Sequence, residues 1–126
     1  MENTAKAQIW KKRTQQTPNL EWKYTTGYYV QSTPALGDVD GDGKLEIIVG
    51  SCDGNVYCLS GGGTLEWNYT TGDRVVSSPA LGDVDGDGKL EIIVGSKDYN
   101  VYCLSENGTL EWNYTTGDWV ESSPAL

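Results

Sequence analysis

Leu65-Glu-Trp-Asn-Tyr-Thr-Thr-Gly72 is preceded in this chain by Leu20-Glu-Trp-Lys-Tyr-Thr-Thr-Gly27 and followed by Leu110-Glu-Trp-Asn-Tyr-Thr-Thr-Gly117. The three copies set a period of 45 residues, and residues 20–64 match residues 65–109 at 36 of 45 positions. The chain therefore reads as a divergent segment 1–19, a first repeat 20–64, a second repeat 65–109 and a partial third repeat 110–126. Periods of roughly 40–50 residues belong to propellers and solenoids, so the content of the unit has to separate these.

Each unit reads as four short strands. Leu65-Glu-Trp-Asn-Tyr-Thr70 alternates, with Leu65, Trp67 and Tyr69 on one side and Glu66, Asn68 and Thr70 on the other. Period-two alternation marks a half-buried strand. Working outward, Val30–Asp38 is expected as the first strand of a unit, with Pro34 near its beginning, where a missing N–H is tolerated. Leu45-Glu-Ile-Ile-Val-Gly50 is a β-branched run suited to cover on both faces. Asn55-Val-Tyr-Cys-Leu-Ser60 is the third strand, and Leu65–Thr70 the fourth. Asp-Gly-Asp-Gly, Cys52-Asp-Gly-Asn and Gly61-Gly-Gly lie between them as turn chemistry. No window carries apolar residues at helical spacing. Four antiparallel strands in about 45 residues make a β-propeller blade, so the expected fold is all-β with about three blade-equivalents per chain.

Composition excludes several function classes. The 126 residues carry 18 acidic and 9 basic side chains, a formal charge of −9, which is the wrong sign for a nucleic-acid or anionic-membrane surface. His is absent, which removes histidine-ligated zinc, a Ser-His-Asp triad and a Cys-His dyad. No stretch approaches the ~18 consecutive apolar residues of a membrane span. Met1–Arg13 mixes acidic and basic residues where a secretion signal has an apolar centre. Three cysteines do not make a disulfide framework.

The chemical centre of each unit is Asp38-Val-Asp40-Gly-Asp42-Gly-Lys44-Leu-Glu46, repeated unchanged as Asp83-Val-Asp85-Gly-Asp87-Gly-Lys89-Leu-Glu91. Carboxylates occupy loop positions 1, 3, 5 and 9, and glycines positions 4 and 6. Such crowding of like charge is relieved by a hard cation. Ca²⁺ accepts 6–8 oxygens at ~2.3–2.6 Å in irregular geometry, with the position-7 carbonyl of Lys44 or Lys89 completing the arc. The loop resembles the first half of an EF-hand, but position 12 is Val49 or Val94 where an EF-hand has Glu. Mg²⁺ demands a stricter octahedron, and zinc or copper would want His or Cys. Two Ca²⁺ ions per chain would take the formal charge from −9 to −5.

Residues 33–51 and 78–96, Ser-Pro-Ala-Leu-Gly-Asp-Val-Asp-Gly-Asp-Gly-Lys-Leu-Glu-Ile-Ile-Val-Gly-Ser with Thr33 replacing the first Ser in the earlier copy, resemble the FG-GAP/VCBS repeat. That family forms Ca²⁺-binding blades in integrin α-subunit propellers and microbial surface proteins. The resemblance implies metal ligands at Asp38, Asp40, Asp42, Lys44 (carbonyl) and Glu46, and at Asp83, Asp85, Asp87, Lys89 (carbonyl) and Glu91, on a loop between the first two strands. It also implies an extracellular or cell-surface setting. Asp53–Trp67 is similar to the tryptophan-docking repeat of pyrroloquinoline-quinone-type propellers, with Ser60 and Gly63-Thr64 displacing its usual Thr-Gly and Asp. No quinone pocket is identifiable, so this half reads as scaffold.

Trp22, Trp67 and Trp112, like Tyr24, Tyr69 and Tyr114, are expected to pack blade against blade. Cys58 and Cys103 read as small buried groups, and Cys52, replaced by Lys97 one repeat on, as an exposed thiol. Tyr28-Tyr29, Asp73-Arg74 and Asp118-Trp119 vary within a constant frame, the usual place for a binding face. Asn68, Asn107 and Asn113 head glycosylation sequons. Ile9-Trp10 is expected to stand in for a third strand. A ring needs typically 4–8 blades, so closure by a homo-oligomer is expected, with a six-bladed dimer as the first choice. The functional expectation is a non-enzymatic Ca²⁺-binding module for protein or glycan ligands. The alternatives are a piece of a quinoprotein oxidoreductase and a purely structural, self-assembling or engineered propeller fragment.

Overall fold

In the computed structural model, residues 19–125 are described; the expected strand at Ile9-Trp10 lies outside them. The described residues form two four-stranded antiparallel sheets and no helix, so none is long and apolar enough to cross a membrane. The first blade contains β1 (Ala35–Gly37), β2 (Glu46–Gly50), β3 (Asn55–Leu59) and β4 (Leu65–Thr70). The second contains β5 (Ala80–Gly82), β6 (Glu91–Gly95), β7 (Asn100–Leu104) and β8 (Leu110–Thr115). Each is a simple meander, and the registers repeat: Ile48 faces Cys58 as Ile93 faces Cys103, and Cys58 faces Trp67 as Cys103 faces Trp112. The all-β propeller-blade architecture expected from the repeat is thus the one observed.

The first strand is shorter than expected. Only Ala35–Gly37 pairs with β2, whereas the expectation began at Val30. Pro34 has no N–H to donate, and upstream of it a side chain replaces the ladder. The Ser32 hydroxyl donates to the Gly50 carbonyl and accepts from the Gly50 N–H, both at 2.8 Å, and Ser77 does the same with Gly95. Leu20–Thr25, which shares the text of β4, lies outside the assigned strands.

The core lies between the blades as much as within them. Val39, Ile48, Val56, Cys58 and Val75 form one cluster with Ile92, Val94, Tyr102 and Leu104, flanked by Trp67, Tyr69, Leu81 and Leu90. Trp67 donates its indole N–H to the Glu106 carbonyl (2.9 Å) and lies on Gly108, where a Cβ would sit 2.6 Å from the ring. One repeat earlier, Trp22 donates to the Gly61 carbonyl (3.0 Å) and covers Gly63. Tyr24–Tyr57 and Tyr69–Tyr102 are both tilted ring pairs with centroids 5.6 Å apart. These contacts give the expected blade-to-blade role to Trp22 and Trp67. Trp112 is 47% exposed and Tyr114 69%, so the third copy of the motif stands uncovered. Cys58 and Cys103 are buried as expected. Cys52 is buried too, contrary to the expected exposed thiol, and its N–H donates to the Tyr29 carbonyl (2.8 Å).

Candidate metal centre

β1 runs into the acidic loop and β2 leaves it, so one strand end carries Asp38 and the next strand start carries Glu46. The loop closes by its own carboxylates. Asp38 accepts from the N–H groups of Gly41 (2.9 Å) and Gly43 (2.8 Å), Asp40 from Asp42 (3.0 Å), and Asp42 from Lys44 (2.8 Å). The second loop repeats this: Asp83 accepts from Gly86 and Gly88, Asp85 from Asp87, and Asp87 from Lys89. Gly41 and Gly43 have φ of +80° and +87°, a conformation that side chains rarely adopt, so glycine makes this winding possible. Asp40, Asp42, Asp85 and Asp87 use one carboxylate oxygen in these turns, leaving Oδ2 for a ligand.

The position-9 Glu differs from the aspartates in its surroundings. Glu46 is 1% exposed and Glu91 fully buried. One oxygen of each accepts a backbone N–H, from Val39 and from Val84 at 2.8 Å. Oε1 of Glu91 is buried with no hydrogen-bond partner. Burial pushes both carboxyls above their ordinary range, partly opposed by that backbone bond and reinforced by the neighbouring aspartates. An ionised carboxylate so placed is expensive unless a cation meets it. Asp38, Asp40, Asp42 and Glu46 each offer an oxygen within 4.8 Å of the others, and Asp83, Asp85, Asp87 and Glu91 do the same. These two all-carboxylate clusters can hold a metal ion, and their oxygen-only chemistry suits a hard one. Lys44 and Lys89 take the expected seventh loop position, between the last aspartate of each loop and its buried Glu. The Lys89 ammonium pairs with Glu106 at 3.0 Å.

The opposite ends of the strands gather the variable residues. Tyr28 and Tyr29 pack edge to face, Arg74 lies over the Tyr28 ring (5.9 Å), and Lys97 lies over the Trp119 ring (5.0 Å). Sequence reasoning found the 28–29, 73–74 and 118–119 loops but missed that the β2–β3 turn joins them. The Lys97 N–H donates to the Arg74 carbonyl as Cys52 does to Tyr29. The signal was present: 52/97 and 54/99 are among the nine positions at which the two repeats differ.

A second fixed point lies beside this rim. Asp53 and Asp98 accept from the hydroxyls of Tyr57 and Tyr102 and, across to the preceding segment, from the N–H groups of Gly27 (2.9 Å) and Gly72 (2.8 Å). Burial alone would raise these carboxyls, but the donated hydrogen bonds outweigh it and hold both below their ordinary range. Burial and the adjacent Asp53 push the Tyr57 phenol up to about 12. This pair is structural: it ties each blade to the segment before it.

Comparison with known families agrees with this geometry. Residues 38–94, which include both acidic loops, match the FG-GAP-like repeat family. Residues 75–123 match the lambda-carrageenase beta-propeller domain. No curated protein matches the chain. Two repeated four-stranded sheets, each with an acidic loop between its first two strands, agree with both matches and support repeats of the FG-GAP β-propeller type.

Proposed function

We propose that the chain is a non-enzymatic propeller module of an extracellular or cell-surface protein. In this reading each acidic loop holds one Ca²⁺ as a structural ion, through Asp38, Asp40, Asp42, Glu46 and the Lys44 carbonyl in blade one. Asp83, Asp85, Asp87, Glu91 and the Lys89 carbonyl do so in blade two. The observation that carries the reading is Glu91: its Oε1 is buried without a hydrogen-bond partner, and its carboxylate offers an oxygen within 4.8 Å of one from each of Asp83, Asp85 and Asp87. Metal binding would join β1 to β2 and β5 to β6 at the ends where only three residues pair. Extracellular Ca²⁺ is abundant enough for weak sites of this kind.

The ligand-facing part of the proposal rests on the variable rim. Tyr28, Tyr29 and Trp119 are 53%, 68% and 57% exposed and are interleaved with Arg74 and Lys97. Exposed rings beside polar groups suit sugar rings or a protein loop. The second matched family is named for an enzyme of lambda-carrageenan, which makes a glycan the first ligand class to test here.

The deciding experiment is calorimetric titration of the chelator-stripped chain with Ca²⁺, followed by melting with and without EGTA. Two binding events per chain and a melting temperature at least about 10 °C higher with Ca²⁺ are expected, since saturation at 1,000 times Kd contributes about 4 kcal/mol per site. Heatless titration and superimposed melting curves would remove the metal from the account.

A further inference from the structure

The two blades differ in what covers them, and the difference is systematic. On the side that blade one turns to blade two, Val39 is 1% exposed, because Leu81 and Leu90 of blade two close over Gly37. On the same side of blade two, Val84 is 45%, Trp112 47% and Tyr114 69% exposed. On the opposite side, Leu81 and Leu90 of blade two are half-buried, whereas their equivalents in blade one, Leu36 and Leu45, are 62% and 58% exposed. Val30, equivalent to the Val75 that fills the space over Gly50, is 49% exposed. Each uncovered side chain is one half of a contact that exists, with its other half, between the blades.

We infer that these two open faces bind each other between copies of the chain, head to tail: Val84, Trp112 and Tyr114 of one copy meet Leu36, Leu45 and the Gly63 groove of the next. The occupant is identified by what the open face requires. Trp112 needs a turn glycine that leaves room for an indole, Tyr114 a tyrosine at the third-strand position, and the Gly117 N–H a carboxylate. Gly63, Tyr57 and Asp53 of blade one supply this set and already hold Trp22, Tyr24 and Gly27 in that way. Leu110–Gly117 differs from Leu20–Gly27 only at Asn113 for Lys23, so β8 of a neighbour fits the groove that Leu20–Gly27 fills. Docking therefore exchanges like for like: Trp112 for Trp22 on Gly63, and Val30 of one copy for Val120 of the other over Gly95. The net gain is cover for Val84, Leu36 and Leu45, which are exposed among the described residues. Such an exchange of identical elements is an inexpensive route to assembly. The tethered Leu20–Gly27 competes at an effective concentration of millimolar order, so assembly is concentration-dependent. A heterologous contact closes into a ring when its rotation allows, and two whole blades per copy reach rings of 4–8 blades with two to four copies.

Sedimentation velocity on the whole chain, from micromolar to millimolar, tests this. The expected result is growth from 13.7 kDa to multiples of it. Val84→Lys spoils only the outgoing face and Leu36→Glu only the incoming one, so each variant alone stays at 13.7 kDa. Their equimolar mixture forms a one-to-one complex, because each retains the face that the other lacks. Both positions are exposed in the single chain, and an unchanged melting temperature verifies folding; Tyr114→Lys serves as a second outgoing variant. Trp22→Ala, which weakens the tethered competitor, lowers the assembly concentration, while Trp112→Ala raises it. Wild type that stays at 13.7 kDa throughout, single variants that associate like wild type, or a mixture that stays monomeric would each overturn the inference.

Discussion

Val39 and Val84 occupy equivalent positions in the two acidic loops and donate their backbone N–H to the equivalent buried Glu, Glu46 and Glu91, yet their exposures are 1% and 45%. The two loops are identical from Asp38 to Gly50 and from Asp83 to Gly95. What differs is the neighbour: blade two lies over Val39, and no described residue takes that place over Val84. In a stacked-sheet repeat a side chain's burial is thus a property of the pair of blades, and nearest-neighbour interfaces carry a large part of the stability.

The sharpest way to break this comparison is at tryptophan. Trp67→Ala removes an indole that fills the space over Gly108 and leaves the Glu106 carbonyl without its donor, so a loss of about 3 kcal/mol is expected. Trp112→Ala removes the same residue from the same motif where it is half in water, and its loss stays below about 1 kcal/mol. Urea unfolding at micromolar concentration, where copies do not meet, reads both. Equal losses would mean that the indole acts within its own sheet. A smaller contrast is expected at the valines: Val39→Ala should lower stability by about 2 kcal/mol, and Val84→Ala by no more than about 0.5 kcal/mol.

The legible part of this molecule was what a single residue's chemistry and spacing decide. Alternation in Leu65–Thr70, the β-branched run after Glu46 and the turn glycines placed the strands, and carboxylates at alternate positions placed the candidate metal clusters. The illegible part depended on partners remote in sequence. Nothing in Val30–Pro34 announced that Ser32 would replace a ladder bond with its hydroxyl, since the acceptor and donor, both on Gly50, lie 18 residues away. Cys52 looked exposed because Lys97 replaces it, yet lysine keeps its head in water from a backbone position where cysteine is covered. The burial of Glu46 and Glu91 was equally hidden. A position-9 carboxylate reads as one more acidic loop residue until the strand that begins there is seen to be buried.

The finest contrast between the blades is in the β2–β3 turn, where Gly54 has φ of +91° and its counterpart Tyr99 has φ of +75°. Both hold the same turn: the Gly54 carbonyl accepts from the N–H and hydroxyl of Thr71, and the Tyr99 carbonyl from those of Thr116. Tyrosine pays the left-handed penalty of about 1–2 kcal/mol, which glycine avoids. Against this, glycine gives the unfolded chain more freedom, by about 0.5–1 kcal/mol. The Tyr99 ring is 46% exposed, so little packing is lost with it. Tyr99→Gly should therefore stabilise the chain by about 0.5 kcal/mol, and Gly54→Tyr should destabilise it by more, because a Cβ there would come within 3.3 Å of the Asp73 carbonyl oxygen. Paired melting curves decide it. If Tyr99→Gly proves destabilising, the ring contributes more to its blade than its exposure indicates, and the strained turn is retained for a contact on the variable rim.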